Sequence, residues 1–175
     1  GVKDADVVFE PKWDGFRCIA FFDGKSVFLQ SKTGRPLNRY FPDIVEMLSQ
    51  IKAPRFVHDG GLTISIGDGL SFDELQLRVH PAASRVQKLA ALHPAMFVAF
   101  DLLVDEKGKD LREETLKLRR KHRKAFAAKF SSHQTGIVLS PAATKLSQAR
   151  KWFASTGNTL DGIMAKDINN RKSVV

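Results

Sequence analysis

The chain has 175 residues, 43% of them apolar and 27% charged, enough for one globular domain with its own core. Its single cysteine, Cys18, excludes a disulfide within the chain, and no apolar run approaches the roughly 18 residues of a membrane-spanning helix. With 28 Lys and Arg against 19 Asp and Glu, the net charge of +9 favours polyanionic partners.

The opening segment GVKDADVVFE has no apolar stretch of the kind a signal peptide needs. VVFEPKW and GFRCIAFF read as strands, and Asp23-Gly24 ahead of SVFLQS is a hairpin signal. Asp-Gly recurs at 14, 23, 59, 68 and 161, so several hairpins or sharp turns are expected. FPDIVEMLSQI has helical spacing at Ile44, Met47, Leu48 and Ile51 behind Pro42. RFVHDGGLTISI reads as two short strands around a glycine turn. In SFDELQLRV, Ser71 is placed to cap a helix that carries Glu74 at the capping-box position. SRVQKLAAL adds a short helix after Pro81, and AMFVAFDLLV, between Pro94 and Asp105, has the continuous apolar character of a buried strand.

LREETLKLRRKHRKAFAAKF is a basic helix with six formal positive charges between Leu116 and Lys124. Such a run is either a solvated face or a contact to nucleic acid. TGIVLS follows as a strand, TKLSQARKWFAST as a helix ended by Gly157 and Asn158, and DGIMAK as a last strand, while DINNRKSVV shows no periodicity. No repeat or linker divides the chain, and the mixture of short strands and helices predicts an α+β domain of packed antiparallel sheets. Thirteen Phe against one Tyr and two Trp point to core aromatics rather than an exposed base-stacking platform. The five histidines show no metal-ligand spacing and read as structural or surface residues.

The segment Glu10-Pro11-Lys12-Trp13-Asp14-Gly15-Phe16-Arg17 places a lysine beside an Asp-Gly turn with an arginine beyond it. A β-turn with surface charges would account for that much. The segment Lys12 to Arg17, however, resembles the nucleophile motif of the covalent nucleotidyltransferases: ATP-dependent DNA ligases, RNA ligases and capping enzymes. Further similarities follow in the family's order. They are Ser31-Lys32-Thr33-Gly34-Arg35, His58-Asp59-Gly60, Phe97 to Leu103 and Asp161-Gly162-Ile163-Met164-Ala165-Lys166. The wording KWDGFR, SKTGRPL, VAFDLL and DGIMAK is closest to bacterial DNA ligases of the end-joining type, and the resemblance spans about residues 7–170.

That resemblance implies an ATP-grasp-like nucleotidyltransferase domain of the α+β class, with two packed antiparallel sheets flanked by helices and no OB domain, occupying 1–175. It implies ATP bound between the sheets and attack by Lys12 on its α-phosphate, leaving lysyl-AMP, with Mg²⁺ or Mn²⁺ as cofactor. A free lysine has a pKa of about 10.4, so neighbouring cations and partial burial are expected around Lys12. Trp13 is expected to pack in the core. Glu10 would read the adenine amino group, Phe100 would stack on adenine, and Arg17, Ser31 and Arg35 would contact ribose and phosphate. Lys166 would reach the α-phosphate from the strand side it shares with Met164 and Gly162, and Asp161 would help hold the metal. Asp14 and Asp101 would fix backbone and neighbouring cations. The implied partner is nicked or broken duplex DNA, with end-joining repair proteins as companions, for a monomer in the bacterial cytoplasm beside the nucleoid and away from membranes.

Two departures stand out. Gly61 occupies the position after Asp-Gly where the family carries an acidic residue, and the sequence ends at Val175 before the family's last adenylation motif. Both predict impaired activity, with a degenerate nucleotide- or DNA-binding module of the same fold as the alternative.

Overall fold

The computed structural model describes residues 4–130, 137–156 and 160–171. In chain order the strands are β1 (Val7–Trp13), β2 (Phe16–Phe22), β3 (Val27–Ser31), β4 (Phe56–Ile66), β5 (Gly69–Leu70), β6 (Ala95–Val104), β7 (Ile137–Leu139) and β8 (Leu160–Asp167). The helices are α1 (Pro42–Ser49), α2 (Phe72–Arg78), α3 (Ala83–Leu92), α4 (Leu116–Phe130) and α5 (Leu146–Thr156). None of them is long and apolar enough to cross a membrane.

Two sheets form. β1 and β8, the first and last strands, pair antiparallel, and a larger sheet runs β3-β2-β4-β6-β7 with β5 attached to β4. The expectation of purely antiparallel sheets fails at one edge, where β7 runs parallel to β6. α4 lies between them in sequence and carries the chain back across the sheet, the crossover a parallel pair requires.

Alternation along β2 buries Cys18, Ala20 and Phe22, which meet Ile44 and Leu48 of α1 and Phe126 of α4 in one core cluster. Burial pushes the Cys18 thiol up to about 12, so it is an inert core side chain. Ser71 caps α2 as expected, accepting from the Glu74 amide at 3.3 Å. The unpatterned tail braces α4. The carbonyls of Asn170 and Ile168 accept from the Leu116 and Lys117 amides at 2.8 and 2.9 Å and satisfy the first turn of that helix.

Three of the five Asp-Gly pairs mark reversals or changes of sheet, at 14, 23 and 68. The other two lie inside β4 and β8. The segment expected to be two strands around a glycine turn is thus a single 11-residue strand, β4. Its Gly60 answers to crowding rather than turning. A Cβ there would collide with the Val98 carbonyl oxygen and stand 2.6 Å from the Phe97 ring. At Gly15, between β1 and β2, an added Cβ would collide with the Leu62 carbonyl oxygen, so glycine lets the chain cross closely from the small sheet to the large one. The helix end expected at Gly157 and Asn158 lies outside the described residues.

Candidate active site

In an antiparallel pair, residues directly opposite share a face. The β1–β8 register sets Val8 against Lys166, Glu10 against Met164 and Lys12 against Gly162, so Glu10, Lys12 and Lys166 project from one side. The register slips between Lys12 and Trp13, which faces Leu160. Asp161 falls in that irregularity, without a ladder partner and exposed, next to the strand position of Lys12. Lys12 is itself exposed, which corrects the expectation of partial burial, and among the described residues it makes no ion pair. Trp13 is half-buried rather than a core residue, and its Nε1 donates to Ser140 Oγ at 2.9 Å.

Glu10 differs most from what its sequence context suggests. A strand-edge carboxylate could face solvent or a ligand, yet Glu10 is 1% exposed. Its Oε1 accepts from Arg120 Nη1 of α4 at 2.7 Å, and its Oε2 pairs with Lys166 Nζ of β8. A carboxylate this buried must be neutralised, and two cations do so.

On the large sheet, Arg17 of β2 stands opposite Gly61 of β4. Its guanidinium donates from Nε and Nη2 to the two oxygens of the buried Asp59, at 2.6 and 2.5 Å. The bidentate fork fixes Arg17 while leaving its side chain 45% exposed and facing outward. Ser31 pairs with Cys18 beside Arg17, and its hydroxyl closes the following loop by accepting from the Arg35 amide at 3.0 Å. Arg35 is exposed. Burial raises the Asp14 carboxyl above its usual range, with repulsion from Asp161 and then Asp73 adding to it.

Phe100 sits at a second irregularity. β6 pairs Asp101 with Asp59 and Ala99 with Gly60, so Phe100 between them is the extra residue of a bulge. Arg123 of α4 holds that bulge, donating from Nη1 to the Ala99 and Phe100 carbonyls at 3.1 and 2.5 Å and from Nη2 to the Ser140 carbonyl at 3.3 Å. Next to it, Arg119 Nε donates to both oxygens of Asp101 at 2.9 and 3.0 Å, so Asp101 does fix a cation. The half-buried Phe100 ring lies over Gly61, where an added Cβ would stand 3.0 Å from Phe Cζ. A side chain at 61 would meet the far edge of that ring, which would have to give by a few tenths of an ångström.

The residues singled out in the sequence thus form two groups. Glu10, Lys12, Asp161 and Lys166 lie on the small sheet; Arg17, Phe100 and Gly61 lie on the large one, with Ser31 and Arg35 beside Arg17. α4 ties the groups together, through Arg120 to Glu10 and Arg123 to the Phe100 bulge. The arginines of α4 are the functional residues that sequence reading misses. Their only signal is a basic run, which does not say which charges turn inward.

Among the described residues no group of three acidic, histidine or cysteine side chains could hold a metal ion.

An antiparallel pair of strands carrying an exposed lysine, set beside a mixed sheet carrying an arginine and an aromatic ring, is consistent with a nucleotidyltransferase domain. The ATP-dependent DNA ligase domain family matches residues 2–172, and the chain belongs to it. It is 41% identical to DNA ligase C of Mycobacterium tuberculosis over 166 residues, covering 92% of this chain and 45% of that protein. It is 31% identical over 114 residues to the bifunctional non-homologous end joining protein LigD of Bacillus subtilis, covering 59% of this chain and 18% of that one. The structure of a mycobacterial DNA ligase D complexed with ATP and MES superposes with a TM-score of 0.74 at 25% identity, covering 99% of this chain and 52% of that one. The chain therefore spans about half the length of these ligases or less.

Proposed function

We propose that the domain binds ATP between its two sheets and takes AMP onto Lys12 as the first step of DNA sealing. The observation that carries this reading is the contrast between Lys12, exposed and free of ion pairs among the described residues, and the engaged charges around it. Glu10, Arg120 and Lys166 satisfy one another, and Arg17 is forked onto Asp59. Only the neutral amine attacks phosphorus, and a carboxylate paired with Lys12 would favour the ammonium form instead. In the step, Lys12 Nζ forms a P–N bond to the α-phosphorus, the bond from that phosphorus to the bridging oxygen breaks, pyrophosphate leaves with the electron pair, and the amine loses a proton to solvent. Asp161 would help hold the divalent metal, which supplies charge neutralisation on the phosphates when bound. Phe100 offers the base a stacking face, Glu10 an acceptor for its amino group, and Arg17, Ser31 and Arg35 donors for sugar and phosphate. In the whole protein the AMP would pass to a DNA 5′-phosphate before an adjacent 3′-hydroxyl displaces it.

Gly61 supports a second reading, a nucleotide-binding module without turnover. No carboxylate is available there. Incubation with ATP labelled at the α-phosphate and Mg²⁺, followed by denaturation, separates the two. Acid-labile label on the wild-type chain and none on Lys12→Ala is the expected result, with a higher yield in Gly61→Glu. Nucleotide binding without label in either the wild type or Gly61→Glu establishes the second reading instead.

A further inference from the structure

We infer that Lys166 is a gate opened by the nucleobase: it is locked on Glu10 until an amino-bearing base takes its place, and only then is it released to the phosphates. This rests on the nucleotide site proposed above and adds a coupling between its two ends.

The two cations on Glu10 are not equivalent. Arg120 comes from α4, its side chain is 13% exposed, and it holds Oε1. Lys166 is 34% exposed, holds Oε2 and stands on a flexible four-carbon stem. Glu10 is opposite Met164 in the ladder, so the Lys166 pair is a diagonal one reached by bending the side chain rather than one dictated by the register. If either cation leaves on nucleotide binding, it is Lys166.

Glu10 constrains what replaces it. Its side chain is 2% exposed, so an oxygen abandoned by Lys166 has little water to turn to, and leaving it bare is unfavourable. Neutralisation survives through Arg120, so the newcomer need not be charged; it must only donate an N–H. The exocyclic amino group of adenine does so. A base with hydrogen or a carbonyl oxygen at that position does not, and Lys166 then stays in place. Once released, its ammonium faces the side from which Lys12 projects, because Lys166, Met164 and Gly162 share one face and Gly162 lies opposite Lys12. One ion pair thereby makes phosphate binding conditional on the correct base.

The gate predicts effects of opposite sign, which a phosphate-binding or merely structural lysine does not produce. Dissociation constants are measured for ATP, adenosine and purine riboside, which lacks only the amino group, on the wild-type chain, Lys166→Ala and Lys166→Arg. Thermal melts check that all three fold. In Lys166→Ala, ATP should bind about tenfold more weakly for the lost phosphate contact, while adenosine binds about tenfold more tightly because nothing competes for Glu10. Purine riboside should not change. Lys166→Arg, which keeps the pair, should bind adenosine no better than the wild type. Adenosine affinity that is unchanged, weakened or undetectable in both the wild type and Lys166→Ala overturns the gate, even if ATP still binds and Lys12 is labelled. Absence of ATP binding by the wild-type chain sinks the nucleotide site itself and the gate with it.

Discussion

α4 presents two rows of cations that the sequence writes as one. Arg119 and Arg123 are 4% and 1% exposed and point into the domain, with Arg120 on their flank against Glu10. Lys117, Lys121 and Lys124 are exposed on the other side, where they edge a hollow of ≈ 400 Å³ between α4 and the start of β1. At 3.6 residues per turn, positions 119 and 123 fall on one face and 117, 121 and 124 on the opposite one. Side-chain chemistry follows the geometry. A guanidinium is weakly hydrated and has five donors for carbonyls and carboxylates, whereas an ammonium keeps its water. A basic run is thus both an internal scaffold and an external charge, and the substitution of Arg by Lys within it would not be conservative.

The largest test of that division is Arg119→Met. Removing one member of a buried ion pair leaves Asp101, 6% exposed, short of the guanidinium that grips both its oxygens. The expected loss is about 3–5 kcal/mol in denaturant unfolding. Conversion of any one outward lysine to Ala should stay within about 0.5 kcal/mol. Similar costs for the two rows would show that inward placement carries no special weight.

Acid strikes the same inward side next. His58 of β4 is buried among the Phe56, Phe97 and Phe126 rings, with its Nδ1 3.3 Å from the Asp101 carbonyl and its Nε2 without a hydrogen-bond partner among the described residues. Burial, and after it the Arg123 charge, hold its pKa down at about 4 from 6.5, while the Asp101 carbonyl pulls the other way. A folded pKa below the unfolded one means that the unfolded chain gains a proton first as pH falls. Stability is then full above about pH 6.5 and declines toward pH 4, by roughly 3 kcal/mol in all. Urea midpoints at pH 7.5 and 4.5 measure the decline. His58→Phe should remove most of it, and an equal decline in that variant would place the acid sensitivity elsewhere.

Local pattern reveals the elements and hides the partnerships. β6 and the helical core of α4 are legible because apolar runs and periodicity are properties of neighbours in sequence. The Ser71 cap is legible for the same reason. Glu10 is the opposite case. Its partners are 110 and 156 positions away, so nothing near it distinguishes a buried, doubly paired carboxylate from a surface one. Asp59-Gly60 reads as a turn because Asp-Gly usually is one; the crowding that requires glycine comes from β6, a strand far along the chain. The parallel edge at β7 depends on where α4 sends the chain, and the bulge at Phe100 on how β6 registers against β4. The wording of its motif singles out Lys12, but its exposure depends on packing that no motif records.

The smallest effect on stability should carry the clearest information about the outward row. If Lys117, Lys121 and Lys124 lie along the phosphates of a DNA duplex, each contributes to counterion release. Replacing all three by Ala should then flatten the slope of log K against log salt by about 0.9 per contact, up to roughly 3, with little change in unfolding free energy. Arg119 and Arg123 cannot contribute to that slope, since they are buried inside the domain and hold carboxylate and carbonyl oxygens there. A slope that does not change in the triple variant would leave the lysines as a solvated face, and any contact with DNA would fall to the remaining exposed cations, Arg17 and Arg35 on the large sheet among them.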